Sequence, residues 1–239
     1  MVGTIPSELF RLSLLRSLKL GFNGFTGSIS TEIGRMPELE DFSLTRNDLT
    51  GTLPSEIGLA TDLELINVRG NRLDGSLPVQ LGGLPELREL ETRQNHFTGP
   101  IPSELGLLRY LTSLSLNDNY LSGTLPVDLG RLRHLQALRL SSNLNITGTI
   151  PSEYARMRRL YVLLLNNTML SGTVPPEICN RTVPQPGPVT LSTLRIDCGR
   201  VQCSCCRLCD GDRVSALSPN ATAIRDWAPN HNNETDNNV

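Results

Sequence analysis

Apolar and polar residues follow a fixed pattern along the chain, of the form LxxLxLxxNxLxGxLPxxLGxL, which recurs seven times between residue 13 and about residue 181. The stretch 109–132 shows it in full as RYLTSLSLNDNYLSGTLPVDLGRL. Its asparagine returns at a step of 24 residues, and one residue inserted between Asn143 and Gly148 makes that unit 25 residues long. A fixed period of this length predicts a solenoid of stacked coils. The asparagines of the series are Asn23, Asn47, Asn71, Asn95, Asn119 and Asn143.

Each position of the pattern has a physical reason. Leu114 and Leu116 alternate with polar residues, which predicts a short strand with one buried face. Asn119 stands where the chain leaves the strand, and its amide can satisfy backbone groups of adjacent coils that would otherwise be buried unpaired. Gly123 permits a tight backbone there, and Pro126 suits a position without a donor. Because no coil buries its apolar edge alone, the core exists only when neighbours stack.

The GxIP element at 3–6 and 148–151, with Leu or Val variants elsewhere, resembles the plant-type leucine-rich repeat. That family includes receptor-kinase ectodomains and polygalacturonase-inhibiting proteins, and the resemblance covers residues 1 to about 198. It implies an α/β-type solenoid, a right-handed coil with a parallel concave sheet, here with about seven repeats of 24 residues plus a partial first repeat. Ser30, Thr92 and Thr168 depart from the pattern, at an internal proline, a strand leucine and the ladder asparagine. No kinase sequence is present in the chain.

Three regions follow from the period. The solenoid spans residues 1–181, and residues 1–12 form a truncated repeat, so we expect the N-terminus to be incomplete. Residues 182–209 contain a Pro-rich loop, a last strand at 191–196 and a Cys-rich cap. Residues 210–239 are rich in asparagine and poor in apolar residues, which predicts disorder.

The six cysteines all lie beyond residue 178, at the end of the repeat array. An even number at such an edge favours disulfides that hold a cap over the last coil, in an oxidising compartment. A zinc site stays an alternative because Cys206-xx-Cys209 has ligand spacing, and a redox motif is a weaker one. The cluster also resembles the one that follows such repeats in secreted or surface proteins of diatoms. The cysteines are Cys179, Cys198, Cys203, Cys205, Cys206 and Cys209, with fifteen pairings open.

Candidate glycosylation sites lie only at or after residue 145, so the first five full repeats carry none. In a secreted protein this bare stretch is the better place for a partner. The sequons begin at Asn145, Asn166, Asn180, Asn220 and Asn233.

Composition excludes several functions. Lys and Arg total 22 against 24 for Asp and Glu, a net charge of −2, which gives no footprint for nucleic acid or an acidic membrane surface. No apolar run is long enough to span a membrane. His96, His134 and His231 have no nucleophile or metal partner at motif spacing. We therefore predict no enzyme activity, no catalytic residues, no metal and no cofactor.

The variable strand positions are expected to point out of the concave face in rows one repeat apart. In these rows a charged patch forms, because coils lie about 4.8 Å apart. Alternatively, these residues bind nothing and are solvated charges that pair with one another across the sheet. The candidate ligand-binding residues are Arg46, Arg69, Glu89, Glu91 and Arg93.

The pattern as a whole predicts an extracellular or cell-surface recognition module that binds a protein, peptide or polysaccharide. Alternatives are a secreted inhibitor of a wall-degrading enzyme and an intracellular scaffold with reduced cysteines. A row of small polar residues, one before the apolar position of each GxIP element, also suggests the hypothesis of ice binding. The alternative is that this type of repeat simply prefers Thr or Ser at that position. That row is Thr4, Ser28, Thr52, Ser76, Pro100, Thr124, Thr149 and Thr173.

Overall fold

A computed structural model describes residues 1–182 and 190–205 of the chain. Several predictions fall outside these residues. They concern Cys206 and Cys209, the sequons at Asn220 and Asn233, His231 and the expected disorder of 210–239.

The LxxLxL segments form one long parallel sheet of eight strands, in which each strand pairs in register with the equivalent strand of the next coil. Leu114, for example, lies between Leu90 and Leu138, and all three side chains are fully buried. The last strand, predicted at 191–196, is confirmed. We call the outward side of this sheet the concave face. Its strands are Ser17–Lys19, Asp41–Ser43, Leu65–Asn67, Glu89–Glu91, Ser113–Ser115, Ala137–Arg139, Val162–Leu164 and Thr193–Arg195.

Opposite the sheet, each coil makes a 3-10 turn that begins after the proline of the pattern. Where Ser30 replaces this proline, its side chain accepts a hydrogen bond from Glu32 N at 3.2 Å and caps the turn instead. The last full coil has a short α-helix, Pro176–Cys179. The 3-10 turns are Ser7–Arg11, Thr31–Arg35, Ser55–Leu59, Val79–Gly83, Ser103–Leu107, Val127–Arg131, Ser152–Arg156 and Asn180–Thr182.

A second set of parallel strands, which the sequence pattern did not predict, runs along the flank at the glycine of each repeat. Gly123 adopts φ 80° there, so the conformational freedom predicted for it is used. These flank strands are Val2–Thr4, Gly24–Thr26, Thr50–Thr52, Arg72–Asp74, Thr98–Pro100, Tyr120–Thr124, Asn145–Gly148, Met169–Leu170, Gly172–Thr173 and Val201–Gln202.

The asparagine ladder holds adjacent coils together as predicted. Asn119 Nδ2 donates to Leu116 O and to Thr92 O of the preceding coil, both at 3.1 Å. Its Oδ1 accepts from Phe97 N at 3.1 Å. At the last coil, where Thr168 replaces the asparagine, the Asp197 carboxylate accepts from Asn167 N and Thr168 N, both at 2.9 Å.

The segment that follows the last full coil is paired with it and bonded to it. Cys179 and Cys205 form a disulfide with a Cα–Cα distance of 5.3 Å, and Cys198 and Cys203 are also disulfide-bonded. The Sγ atoms of Cys179, Cys203 and Cys205 lie within 4.8 Å of one another. Because two of these sulfurs share a bond, they do not form a thiolate metal site in this state.

Candidate recognition face

The arginines of the charged patch expected on the concave face lie just beyond the ends of the strands, where the chain leaves the sheet. Glu89 and Glu91 belong to one strand, and Arg93 follows it by two residues. Arg69 occupies the equivalent position one coil earlier, after Leu65–Asn67. Coils stacked about 4.8 Å apart bring these residues into one area.

Arg46 departs from the expected strand row. It adopts a left-handed conformation with φ 52°, immediately after the buried Thr45. The strands are only three residues long, so the chain has already turned at this position. Gly70 occupies the same slot in the next coil with φ 67°, and a Cβ there would lie 3.2 Å from Arg46 Cγ. Arg46 also stands over the ring of Phe22 at 5.5 Å, which fixes its side chain against the preceding coil.

Arg69 and Arg93 carry partly buried guanidinium groups. Among the described residues, the Nε of each is buried and donates no hydrogen bond. Burial lowers the pKa of Arg69 from its ordinary value, the charges of Arg93 and Arg46 lower it further, and Glu91 opposes them. Two buried donors without acceptors, beside like charge, indicate a place for an anionic group.

Glu91 is already engaged by neighbouring side chains. It accepts hydrogen bonds from Ser115 Oγ at 2.8 Å and from Ser113 Oγ at 3.1 Å. Arg139 Nη1 donates to Ser115 Oγ at 3.3 Å from the next coil. The Glu91 Oε2 atom lies 4.0 Å from Arg93 Nε, at the outer limit of an ion pair and beyond hydrogen-bonding distance. Of the five predicted residues, the three arginines therefore form the cationic part of the patch, and Glu91 borders it.

The described histidines do not assemble a catalytic or metal site. The ring of His96 lies 5.7 Å from that of Tyr120, and the ring of His134 lies 6.1 Å from that of Tyr110. Within residues 1–182 and 190–205, only the sulfur cluster of the cap groups three side chains of metal-binding type. Among the same residues, no helix is both long and apolar enough to cross a membrane.

The described sequons all lie in the C-terminal half of the molecule. Asn145 is exposed at the start of its flank strand, and Asn180 is exposed after the α-helix. Asn166 lies half-buried on the concave face, in the same row as Arg69 and Arg93 but three coils beyond Arg93. Glycans at these positions would leave the arginine patch of the concave face open.

The small polar row raised in connection with ice binding is exposed along the flank strands. Pro100 interrupts the row, as expected from the sequence.

Comparison with known proteins agrees with this architecture. The family model described as Leucine Rich Repeat matches residues 110–132. No curated protein matches the chain by sequence. The Arabidopsis receptor kinase HAESA, in complex with the peptide hormone IDA and the co-receptor SERK1, is 32% identical with a TM-score of 0.75. That match covers 85% of this chain and 33% of the HAESA chain.

Two further structures share the fold. The plant peptide hormone receptor RGFR1, in complex with RGF2, is 30% identical with a TM-score of 0.67, over 84% of this chain and 34% of that chain. A plant ice-binding protein is 23% identical with a TM-score of 0.62, over 82% of this chain and 68% of that chain, and shows the fold alone.

The repeat, the long parallel sheet and the asparagine ladder together define a leucine-rich repeat solenoid. More particularly, the chain resembles the ectodomains of plant receptor kinases, and it spans about a third of the length of those it matches.

Proposed function

We propose that this chain is an extracellular or cell-surface recognition module whose concave face binds an extended peptide. The peptide places a carboxylate between Arg69 and Arg93, with Arg46 at the edge of the site. The receptors RGFR1 and HAESA, which have the same fold, are in complex with peptide hormones. A peptide ligand for this chain is our inference from that likeness and from the arginines.

The observation that carries the proposal is the pair of half-buried guanidinium groups of Arg69 and Arg93 on adjacent coils, which are still partly open to solvent and whose Nε atoms have no acceptor within the described residues. Leaving such donors unsatisfied costs free energy, which a bound acceptor restores. A guanidinium offers two parallel donors to a carboxylate, so two guanidinium groups on adjacent coils can hold one carboxylate from both sides. The mutual repulsion of the arginines falls when that negative charge arrives.

The neighbouring residues favour an extended ligand. Ser43, Asn67 and Glu91 form one outward row of the sheet, and their side chains are half-buried. Asn67 Oδ1 accepts from Thr45 Oγ1 at 2.9 Å, which fixes this row beside Arg69. A peptide lying across the strands would meet one residue of this row in each coil.

The test selects short linear peptides with free carboxyl termini on the immobilised protein, then measures affinity by calorimetry. We compare the wild type with the double variant Arg69→Gln/Arg93→Gln. Its control is Arg11→Gln/Arg35→Gln, which removes the same charge from two 3-10 turns away from the concave face. Hydrogen bonds to charged groups predict a loss of about tenfold or more in the first variant.

The control variant should bind as the wild type does. Selected peptides should also weaken when their acidic group is amidated. Equal affinity of the wild type and Arg69→Gln/Arg93→Gln for every selected peptide, with both proteins folded by circular dichroism, would exclude this site.

A further inference from the structure

A second concentration of positive charge lies on a different edge of the molecule. It occupies the last residue of the 3-10 turn and the loop that leads from it to the concave strand in three consecutive coils, at 107–112, 131–136 and 156–161. All its side chains are exposed, and these three loops contain no Asp or Glu. We call this set the arginine edge; its members are Arg109, Arg131, Arg133, Arg156, Arg158 and Arg159.

The repeat brings these arginines together. Arg109, Arg133 and Arg158 occupy one slot of the pattern in successive coils. The strands that follow them pair in register, with Ala137 opposite both Ser113 and Val162. Coils about 4.8 Å apart therefore align the three guanidinium groups in a row along the solenoid.

Acidic partners for this row are scarce. Arg131 pairs with Asp128 at 3.0 Å. Within the part of the chain that the structure describes, the other five form no ion pair. Uncompensated like charges at this spacing create a local positive potential, although the whole chain has a net charge of −2.

The same loops are acidic at the other end of the solenoid. In 35–40, 59–64 and 83–88 the pattern places Glu38, Glu40, Asp62, Glu64 and Glu86. Several of these are paired, as in the contacts of Arg16 with Glu40 and of Arg88 with Glu64, both at 3.1 Å. The unpaired positive charge is thus confined to one end of this edge, while Glu38, Glu40 and Glu64 at the other end are paired with arginines.

We infer that the arginine edge binds an anionic polysaccharide. A linear polyanion presents charge at regular intervals and can follow a row of guanidinium groups, each of which binds sulfate or carboxylate through parallel donors. The rings of Tyr110 and His134, which lie 6.1 Å apart among the arginines, add faces for sugar rings. A narrow row on an otherwise acidic protein suits a thin chain better than a broad membrane surface.

This surface is independent of the proposed peptide site. Arg133 and Arg158 precede their strands, whereas Arg69 and Arg93 follow theirs. The two sets of arginines therefore lie at opposite ends of the concave strands, so each can be changed without touching the other.

The experiment measures binding by surface plasmon resonance to heparin as a sulfated chain, polygalacturonate as a carboxylated chain and dextran as a neutral one. Anionic lipid vesicles and single-stranded DNA are measured alongside them as anionic surfaces and chains of other classes. We compare the wild type with Arg133→Gln/Arg158→Gln and with the control Arg11→Gln/Arg35→Gln. The control has the same change in charge, and its arginines occupy the slot of Arg131 and Arg156 at the other end of the array.

We expect binding of at least one charged polysaccharide and none of dextran, with a loss of about tenfold in Arg133→Gln/Arg158→Gln and none in the control. Whether heparin or polygalacturonate binds more tightly identifies the anionic group. Added salt should weaken binding, because exposed charges are screened. The inference is overturned by equal binding of both variants, by binding of neither charged polysaccharide, or by tighter binding to anionic lipid vesicles or single-stranded DNA.

Discussion

Gly82 offers a direct test of how closely the coils approach on the side opposite the concave sheet. A Cβ added at Gly82 would lie 2.4 Å from Glu104 O and 2.6 Å from Glu104 C of the next coil. Ordinary contacts lie at 3.4–4 Å, so the two backbones would have to separate by about 1 Å. The obstacle is backbone, which cannot rotate away as a flexible side chain can.

The expected cost of Gly82→Ala follows from this overlap. Overpacking a tightly fitted site costs about 1–3 kcal/mol and occasionally more. The upper half of that range applies here, because each coil contacts only its neighbours and a gap at one junction has no other contact to absorb it. Urea unfolding followed by circular dichroism measures the change as a lower midpoint.

The adjacent Gly83 is the matched control. A Cβ there would meet nothing within 4 Å, and the residue is exposed at the end of the same 3-10 turn. Gly83→Ala should be neutral or stabilise by about 0.4–1 kcal/mol through a less flexible unfolded chain. If Gly82→Ala and Gly83→Ala unfold at the same urea concentration, the close approach of the coils is refuted as the reason for glycine at this slot.

Three further predictions concern the core and the cap. Leu114→Ala should destabilise by about 2–5 kcal/mol, because the side chain is fully buried between two coils; an unchanged melting curve would contradict the burial pattern. Thr92→Val should stabilise by about 1 kcal/mol or more, since the buried Oγ1 has no hydrogen-bond partner among the described residues; a lower midpoint in urea would show that the hydroxyl is satisfied. Mass spectrometry of non-reduced peptides should recover the Cys179–Cys205 bridge, and six alkylatable thiols in protein from its native source would oppose both the cap and the extracellular assignment.

The long sheet could be predicted from the sequence because its signal is physical and repeated. A leucine such as Leu114 must be buried, and an asparagine such as Asn119 must satisfy backbone groups, so both positions recur at every turn. The same logic located the last strand after an interrupted period. The register between neighbouring strands of the long sheet follows directly from the step of 24 residues along the chain.

Other features have no comparable signal. The flank strands carry polar residues such as Thr50 and Thr52, which are exposed and so show no alternation between buried and exposed faces. Arg46 and Phe22 adopt positive φ, although glycine is the usual residue in that conformation. The partner of Cys179 could not be chosen among fifteen pairings. The arginine edge could not be recognised from the net charge, because that value sums over the whole chain and does not show which residues the repeat brings together.

The two proposed sites can act separately because of the length of the strands between them. Arg133 lies four residues before the start of its strand and Arg93 two residues after the end of its strand, so with two steps of about 3.3 Å inside the strand the two rows lie more than about 10 Å apart. This exceeds the screening length of about 8 Å at physiological ionic strength, so a polyanion at Arg133 and Arg158 should leave the affinity of a peptide carboxylate at Arg69 and Arg93 unchanged within about twofold. At 0.01 M salt the screening length rises to about 30 Å, and the bound polyanion should then weaken peptide binding. Calorimetric titration of a selected peptide, with and without saturating polysaccharide at both salt concentrations, measures this coupling. Strong competition at physiological salt would mean that both ligands use the same arginines.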